Sequence, residues 1–234
     1  MSLTPEAQRQ KRLRPLQDGP AGALRIHEIY ASVQGESTHA GRPCVFVRTT
    51  ACHLRCGYCD TAHAFNHGSW MTPDAIMEKV LSFGLPLVEL TGGEPLLQAG
   101  IFPLMSAMCD CGLQVLLETS GSLPIESVDP RVCRIVDMKT PSSGEVSSNR
   151  YENLKDLRPH DEVKFVIGDR TDYLWSRVLM ETYEISSRCT VLMGTVFGKL
   201  AEKDLAAWMV EDTVPARMQI QMHKYIWEPD RRGV

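Results

Sequence analysis

Short apolar segments alternate with helical stretches along the chain after about residue 22. Strands are predicted at residues 24–30, 43–48, 86–90, 114–117, 132–136, 162–167, 190–193 and 217–220. Helices are predicted at residues 72–82, 95–111 and 172–184, with another between the last two strands. Thr72, Pro73 and Asp74 indicate one helix start, because they combine an N-cap residue, a proline at the first helical position and an early acid.

This alternation predicts an α/β fold with a parallel sheet, since parallel neighbours need crossover connections. Polar and glycine-rich clusters recur at the carboxyl ends of the strands, where parallel α/β barrels build their ligand sites. About six strands follow the first segment, too few for a closed eight-fold barrel of roughly 250 residues. We therefore expect a partial, open barrel of the TIM type.

The domain organisation follows from composition and length. Residues 1–22 are polar, contain prolines at positions 5, 15 and 20, and include a basic cluster. They predict a flexible N-terminal tail. The chain has 234 residues, enough for one large α/β domain, and we expect residues 23–234 to form it.

Charge and hydrophobicity exclude several classes of function. The 25 Lys and Arg against 29 Asp and Glu give a net charge of −4, so the chain has no general attraction to nucleic acid or to an anionic membrane. No apolar run is long enough to span a bilayer. The polar N-terminus lacks the apolar segment of a secretory signal. The expectation is a cytoplasmic protein.

The eight cysteines fall into two groups. Eight cysteines in a chain without a secretory signal predict reduced thiols rather than disulfide bonds. Five of them lie in apolar or helical surroundings and are predicted to be buried small hydrophobic side chains: Cys44, Cys109, Cys111, Cys133 and Cys189.

The other three cysteines, at positions 52, 56 and 59, share one short loop after the strand at residues 43–48. Such a loop can direct three thiolates at one point, but a structural zinc site normally takes four protein ligands. Three thiolates on a cubane iron–sulfur cluster leave one iron open to a small molecule. A zinc knuckle completed by Cys44 or His53 is the alternative.

Polar motifs at strand ends supply further candidate chemistry. In residues 91–95, Thr-Gly-Gly-Glu-Pro, the glycines allow close backbone approach to a ligand and Glu94 is an acceptor. In residues 118–121, a carboxylate and two hydroxyls suit ribose hydroxyl groups. Lys139 follows an apolar strand, so a cation there suits a carboxylate or a developing anion. Tight or solvated turns are the alternative for the first two motifs.

Three residues near the first two strands suit a heterocyclic ligand. Gln34 and Glu36 together offer the donors and acceptors needed to bind a fused pyrimidinone edge. Arg48 lies in an otherwise apolar run, where an unpaired charge is costly, and could form a fork to a substrate carboxylate. Its alternative role is an internal salt bridge, perhaps with Glu36.

The spacing Cys-x3-Cys-x2-Cys, with Tyr58 before the last cysteine, resembles the signature of the radical S-adenosylmethionine (SAM) enzymes, and residues 91–95 resemble their Gly-Gly-Glu-Pro motif. Within that superfamily the chain resembles the 7-carboxy-7-deazaguanine synthase family of the queuosine and deazapurine pathways. The matching segments are residues 34–36, 46–48, 59–61, 91–95, 118–121, 139–143 and 221–224. Two departures are the longer N-terminal segment and Asp137-Met138-Lys139 where Ser-Pro-Lys is common.

The resemblance implies a reduced partial barrel and a radical reaction. The family contracts the ring of 6-carboxy-5,6,7,8-tetrahydropterin to 7-carboxy-7-deazaguanine with loss of ammonia. A reduced [4Fe-4S] cluster cleaves SAM, the resulting radical removes the hydrogen at C6 of the substrate, and Mg²⁺ assists. Implied partners are the pterin, an electron donor such as flavodoxin and a second copy in a homodimer.

The resemblance also assigns residues by position. Cys52, Cys56 and Cys59 hold the cluster, and Thr61 binds Mg²⁺. The implied SAM-binding residues are Tyr58, Cys59, Asp60, Gly92, Gly93, Glu94, Glu118, Thr119, Ser120, Asp137, Met138 and Lys139. The implied pterin-binding residues are Val33, Gln34, Gly35, Glu36, Arg48, Thr91, His223 and, through the C-terminal carboxylate, Val234. Glu36 and Lys139 are the candidate catalytic residues.

Two alternative functions share parts of this pattern. An enzyme that installs a glycyl radical on a partner protein has the same cysteine spacing, but it has no need of Arg48 to bind a carboxylate. A zinc-stabilised binding module without catalysis is the alternative from another class.

Overall fold

Residues 4–234 are described by a computed structural model, and within them nine strands form a single sheet. In chain order the strands are β1 Leu24–Val33, β2 Pro43–Thr49, β3 Ser69–Met71, β4 Leu87–Gly92, β5 Gln114–Thr119, β6 Cys133–Met138, β7 Glu162–Ile167, β8 Thr190–Thr195 and β9 Arg217–Met218. The α-helices are α1 Pro5–Leu13, α2 Pro73–Leu81, α3 Ile101–Asp110, α4 Arg170–Thr182, α5 Ile185–Arg188, α6 Glu202–Glu211 and α7 His223–Ile226. None of these helices combines the length and apolarity needed to cross a membrane.

The strands follow the order β3-β1-β2-β4-β5-β6-β7-β8-β9 across the sheet. Neighbours from β2 to β9 are parallel, whereas β1 pairs antiparallel with β2 and with β3. In the part of the chain that is described, the sheet ends at β3 on one side and at β9 on the other. The barrel is therefore open, and the predicted α/β fold with a partial barrel is confirmed.

Local differences from the prediction have identifiable causes. The helix expected at residues 95–111 is wrong at its start: Pro95–Leu97 is a 3-10 turn, and α3 begins only at Ile101. Glu94 caps this turn by accepting a hydrogen bond from the Leu96 amide at 3.1 Å. The Gln98 side chain bonds the Arg25 backbone at both N and O, at 2.7 and 3.0 Å, and thereby ties this segment to β1. The short strand β3 was not predicted, and β9 is shorter than expected.

The N-terminal segment begins with α1, whose N-cap Thr4 accepts a hydrogen bond from the Ala7 amide at 3.3 Å. The Arg12 guanidinium donates to the His53 carbonyl at 2.6 Å and lies 3.6 Å from a Glu145 oxygen. These contacts connect α1 with the cysteine loop. Flexibility of residues 4–22 and a domain beginning at residue 23 stay predictions, and residues 1–3 lie outside the described residues.

Two apolar clusters cover opposite faces of the sheet because side chains alternate along each strand. The larger cluster packs the sheet against α2, α3, α4 and α6. The smaller one fills the barrel interior: Cys44, Phe46, Leu87, Leu116, Cys133 and Ile135. Cys189 is buried as predicted, whereas Cys109 is half-buried and Cys111 is exposed. The burial prediction for Cys111 is wrong because this residue is the C-cap of α3 and lies outside the apolar face of the helix.

Candidate active site

The barrel interior opens into a cavity of about 1070 Å³ near the carboxyl ends of the parallel strands. On β4 the core residues Val88 and Leu90 alternate with Glu89 and Thr91, which line the cavity. Neighbouring strands add polar cavity residues in the same way. Strand periodicity therefore gives an apolar layer against the helices and a polar surface inside the barrel.

Most residues assigned from the sequence lie around this one cavity. They are Val33, Gln34, Gly35, Glu36, Arg48, Cys52, Cys56, Tyr58, Cys59, Asp60, Thr61, Thr91, Gly92, Gly93, Glu118, Thr119, Ser120, Asp137, Lys139, His223 and Val234. Glu94 and Met138 are fully buried and lie outside its lining. The structure thus brings the cysteine loop, the strand-end motifs and the C-terminal segment together.

The backbone of the cysteine loop donates hydrogen bonds to the segment after β6. The Gly57 amide donates to the Ser143 carbonyl at 2.9 Å, and the Arg55 amide donates to a Glu145 oxygen at 2.6 Å. Burial raises the pKa of the Cys52 thiol to about 12 and that of Cys56 to about 11, although Lys139 opposes the shift at both. A positively charged metal centre would stabilise the thiolates that burial disfavours.

The three thiols of the cysteine loop are not among the compact groups of ligands suited to a single ion. Two sulfurs on one zinc ion lie at most about 4.6 Å apart, since Zn–S bonds are about 2.3 Å. Among residues 4–234, the groups whose ligand atoms all lie within 4.8 Å of one another do not include the three cysteines. His53 donates to or accepts from Ser122 Oγ at 2.8 Å, and neither it nor Cys44 lines the cavity. The three thiols are consistent with a cluster.

The two glycines of residues 91–95 bring β4 against the start of the cysteine loop. A Cβ at Gly93 would lie 2.0 Å from the Ala51 carbonyl oxygen, and one at Gly92 would lie 2.4 Å from the Thr49 nitrogen. The Gly93 amide donates to the Thr49 carbonyl at 3.2 Å. Larger residues would separate the two segments, so the glycines also serve the packing of the loop.

Glu94 lies outside the cavity lining and binds the carboxyl end of β5. Its carboxylate accepts hydrogen bonds from the Thr119 hydroxyl at 2.8 Å and from the Ser120 amide at 2.8 Å. Burial raises the pKa of Glu94, and these hydrogen bonds oppose the shift. The contacts support a positioning role for Glu94, and its assignment as a SAM ligand stays a prediction.

Lys139 lies at the floor of the cavity with its charge compensated. Its Nζ donates to Asp137 Oδ2 at 2.7 Å, and Asn149 bonds its backbone at both N and O, each at 2.8 Å. Burial alone would lower the pKa of Lys139, but Asp137 and nearby Cys56 raise it above its usual value. Lys139 therefore remains an ammonium ion inside the site.

The sequence assignments missed Lys164, a buried cation on β7. Its Nζ contacts Glu118, lies 2.9 Å from Glu36 Oε2 and lies 4.0 Å from Asp137 Oδ2. These carboxylates raise the pKa of Lys164 well above its usual value, against the effect of burial. The sequence did contain a signal for this residue, namely a lysine within an apolar strand. Arg48 in β2 shows the same pattern.

Gln34 and Glu36 are fixed by partners on three segments. The Gln34 amide group donates to the buried Glu89, and its Oε1 accepts from the Glu36 amide at 2.7 Å. Glu36 Oε1 accepts from Gln221 Nε2 at 2.9 Å. Burial, with a further contribution from Glu118, raises the pKa of Glu89 well above its usual value. The sequence assignments also missed Glu89. An acidic residue within the apolar strand β4 was the signal that could have identified it.

Arg48 has an internal salt bridge, but its partner is not Glu36. Its Nε donates to Glu28 Oε1 at 2.8 Å, and its Nη2 donates to the Tyr30 hydroxyl at 2.8 Å. The alternative pairing with Glu36 is wrong because β1 and β2 are antiparallel and place Glu28 directly opposite Arg48. These two bonds orient the guanidinium at the cavity wall and leave its other N–H donors for a ligand.

The end of the cysteine loop is linked to the C-terminal segment. Asp60 Oδ1 accepts from the Thr61 hydroxyl at 2.9 Å, and Oδ2 accepts from Lys224 Nζ at 2.9 Å. Although burial acts to raise the pKa of Asp60, Lys224 and the hydrogen bonds lower it below its usual value. Next to His223 in the chain, the Met222 amide donates to the Gly35 carbonyl at 2.9 Å. This bond links the C-terminal segment to the residues that follow β1.

Comparison with known proteins agrees with this geometry. A sequence profile described as the Radical SAM superfamily matches residues 46–138. A 7-carboxy-7-deazaguanine synthase from Chlorobaculum tepidum is 50% identical over 214 residues, covering 90% of this chain and 97% of the relative. This chain belongs to the 7-carboxy-7-deazaguanine synthase family. The enzyme of that name from Koribacter versatilis is 43% identical over 226 residues, covering 90% of this chain and all of the relative (100%).

A solved structure extends the family's similarity to the fold. QueE from Escherichia coli superposes with a TM-score of 0.73 at 19% identity, over 90% of this chain and 99% of that chain. Membership of the 7-carboxy-7-deazaguanine synthase family confirms the predicted family and makes a [4Fe-4S] cluster and SAM the expected radical SAM cofactors. It does not favour the glycyl-radical activating enzyme or the zinc-stabilised module.

Proposed function

We propose that this chain contracts the ring of 6-carboxy-5,6,7,8-tetrahydropterin to 7-carboxy-7-deazaguanine, with loss of ammonia, in queuosine or deazapurine biosynthesis. One observation carries the proposal: a single cavity joins the three thiols of the cysteine loop to the polar residues suited to a carboxylated pterin. The relatives named 7-carboxy-7-deazaguanine synthase, at 50% and 43% identity, support the same reaction.

The cofactor half of the cavity would be formed by the cysteine loop and the ends of β4, β5 and β6. Cys52, Cys56 and Cys59 would hold the cluster, which with bound SAM supplies a carbon-centred radical. The Glu118 carboxylate and the Ser120 hydroxyl oxygen offer acceptors for ribose hydroxyls at the cavity wall. Asp137 and Lys139 would form its polar floor.

The pterin half would lie toward β1 and β2. Gln34 and Glu36 offer donor and acceptor groups to the pyrimidinone edge, with their geometry fixed by Glu89 and Gln221. The Arg48 guanidinium would bind the carboxylate at C6 and so orient this carbon toward the radical. Positioning of this kind lowers the barrier because the reacting atoms are already aligned.

Replacement of Arg48 by Lys tests the pterin assignment. Arg48→Lys keeps the charge but loses the planar fork, and each lost charge-assisted hydrogen bond costs about 1.5–3 kcal/mol. We expect a lower kcat/KM for the carboxytetrahydropterin with nearly unchanged SAM affinity. Product and 5′-deoxyadenosine are measured side by side under anaerobic conditions with a chemical reductant.

Arg131→Lys is the matched control, since Arg131 pairs with Asp110 and Asp129 on the surface. If Arg48→Lys turns over like the wild type, Arg48 has only its structural role beside Glu28. If the wild type forms no 7-carboxy-7-deazaguanine but installs a glycyl radical on an added partner protein, the proposed reaction is wrong.

A magnesium site at Thr61 is the second part of the proposal. Mg²⁺ prefers oxygen ligands and keeps several waters, and the Thr61 hydroxyl lies at the cavity beside the Asp60 carboxylate. Thr61→Val removes this oxygen at nearly constant volume. We expect weaker stimulation of turnover by Mg²⁺ with cluster iron unchanged, measured by titrating Mg²⁺ into the assay.

The control for this substitution is Thr182→Val. The Thr182 hydroxyl donates to the Val178 carbonyl on its own helix at 2.7 Å, on an exposed part of α4. The Mg²⁺ dependence of this variant should match that of the wild type. An equal Mg²⁺ dependence in Thr61→Val would exclude Thr61 as a ligand.

We also propose a homodimer in the cytoplasm that is reduced by a flavodoxin-type electron donor. Leu174 and Val178 lie one turn apart on α4 and are 45% and 62% exposed, which supports an apolar contact with a second copy. Sedimentation of the purified chain distinguishes the dimer from a monomer.

A further inference from the structure

A second group of potential metal ligands lies at the outer wall of the cavity, apart from the cysteine loop. Ligand atoms of His27, Glu28 and His63 all lie within 4.8 Å of one another. The His27 and His63 ring centroids are 5.1 Å apart, and His63 Nε2 is 4.0 Å from Glu28 Oε1. Two imidazoles and a carboxylate are a ligand set used by zinc sites.

The fold brings these residues together through an irregularity in β1. Adjacent residues on a regular strand point to opposite faces, so His27 and Glu28 would normally diverge. The pairing of β1 with β2 shifts register between Ile26 and Glu28, which is the signature of a β-bulge. A bulge changes the direction in which a side chain points, and bulges are frequent next to functional sites. His63 comes from the 3-10 helix that follows the cysteine loop.

One ring of the group has a defined tautomer. His27 Nδ1 lies 2.8 Å from the His67 carbonyl oxygen. Because a carbonyl only accepts, Nδ1 must carry the proton, and the lone pair of neutral His27 is on Nε2. The same carbonyl also accepts from the Thr50 hydroxyl at 2.7 Å, which fixes its position. A histidine that ligates a metal typically donates its other N–H to such a partner.

The second ring has a nitrogen without a partner. His63 Nε2 is buried and makes no hydrogen bond within the described chain, although it faces Glu28. Buried polar atoms in native proteins are almost always bonded, and an ion is one explanation of an exception. Glu28 lies between the large cavity and a smaller one of about 520 Å³, so the group is accessible from both.

We propose that His27, Glu28 and His63 bind one divalent transition-metal ion, with Zn²⁺ as the best match. Imidazole nitrogens suit borderline ions such as Zn²⁺, whereas Mg²⁺ and Ca²⁺ require mainly oxygen ligands. Arg48 Nε donates to Glu28 Oε1 at 2.8 Å, so the Glu28 carboxylate would be shared between the guanidinium and the ion. The site shares no ligand with the cysteine loop and does not depend on the proposed pterin reaction.

Zinc binding to the untagged full chain, with its iron–sulfur cluster loaded, tests the site. The protein is dialysed anaerobically against buffered Zn²⁺, and zinc and iron are measured together so that cluster loss is visible. We expect the wild type to bind one zinc per chain without losing iron. His27→Ala and His63→Ala each remove a ligand and should weaken zinc binding by more than about 100-fold. About 100-fold is the largest loss expected when only a hydrogen-bond partner of a metal ligand is removed.

His67→Ala is the matched control, because it removes an exposed imidazole and keeps the carbonyl that bonds His27. Its zinc affinity should equal that of the wild type. A crystal of the wild type soaked in Zn²⁺ gives a readout that needs no variant: anomalous scattering at the zinc edge should show a peak between His27, Glu28 and His63. Equal zinc binding by wild type and both His variants, or no peak at this position, would overturn the proposal.

Discussion

Cys56→Ala protein is expected to be isolated without cluster iron and to cleave no SAM. The Cys56 thiol is half-buried at the cavity with Cys52 and Cys59, and a cluster held by three thiolates loses a third of its protein ligands with this change. No other cysteine lines the cavity within the described chain. Iron content, absorption of the anaerobic protein and 5′-deoxyadenosine yield measure the loss, which should be complete within detection.

Cys109→Ala supplies the comparison for this result. Cys109 is a half-buried thiol on α3 and does not line the cavity, so its replacement should leave iron content and SAM cleavage unchanged. The opposite pattern, with the cluster lost in Cys109→Ala and kept in Cys56→Ala, would show that the ligands are assigned incorrectly.

The fold was largely predictable because its elements are encoded locally. Apolar strands with polar carboxyl ends gave β4 to β8 to within a few residues, and the capping residues around Thr72 gave the start of α2. The start of α3 was not predictable in this way. It depends on Gln98, whose side chain bonds the backbone of Arg25, and such a distant contact leaves no local signal.

The site shows the same division between local motifs and distant partners. Turn motifs at strand ends predicted several of the residues that line the cavity, because parallel strands bring their carboxyl ends together. The alternative salt bridge of Arg48 with Glu36 was wrong, since the actual partner, Glu28, is set by the register of β1 against β2, whereas the role of Arg48 toward a substrate carboxylate stays a prediction. The bulge that brings His27 beside Glu28 is likewise a property of strand pairing and not of the sequence pattern.

Lys164 was missed because its role depends on three other segments. Its ammonium lies between Glu118 of β5, Asp137 of β6 and Glu36 after β1. Each of these neighbours was assigned to the site from the sequence, but their meeting at one cation depends on the fold. Together they form a buried network in which one cation compensates several carboxylates, and such networks are sensitive to loss of one member.

Lys164→Met should therefore reduce both stability and activity. The change leaves Glu36 and Glu118 without their central cation, and breaking a buried ion pair costs about 3–5 kcal/mol of unfolding free energy. We expect kcat/KM to fall on the order of 100-fold or more, because carboxylates without this partner no longer hold one geometry. Urea unfolding and steady-state kinetics measure the two effects. Lys79→Met, at an exposed position on α2, is the control.

The pH dependence of Lys164→Met separates a role in the site from a role in folding alone. Burial acts to raise the pKa of Glu118, but in the wild type Lys164 outweighs it and keeps the pKa below its usual value. Glu118 is then ionised throughout the range from about pH 6 to about pH 9. Without Lys164 its pKa rises, so the ionised form returns only as pH increases. The kcat/KM of the variant should rise with pH across this range, and the wild type should lack that rise. A variant with lowered stability but the wild-type pH profile would limit Lys164 to the fold.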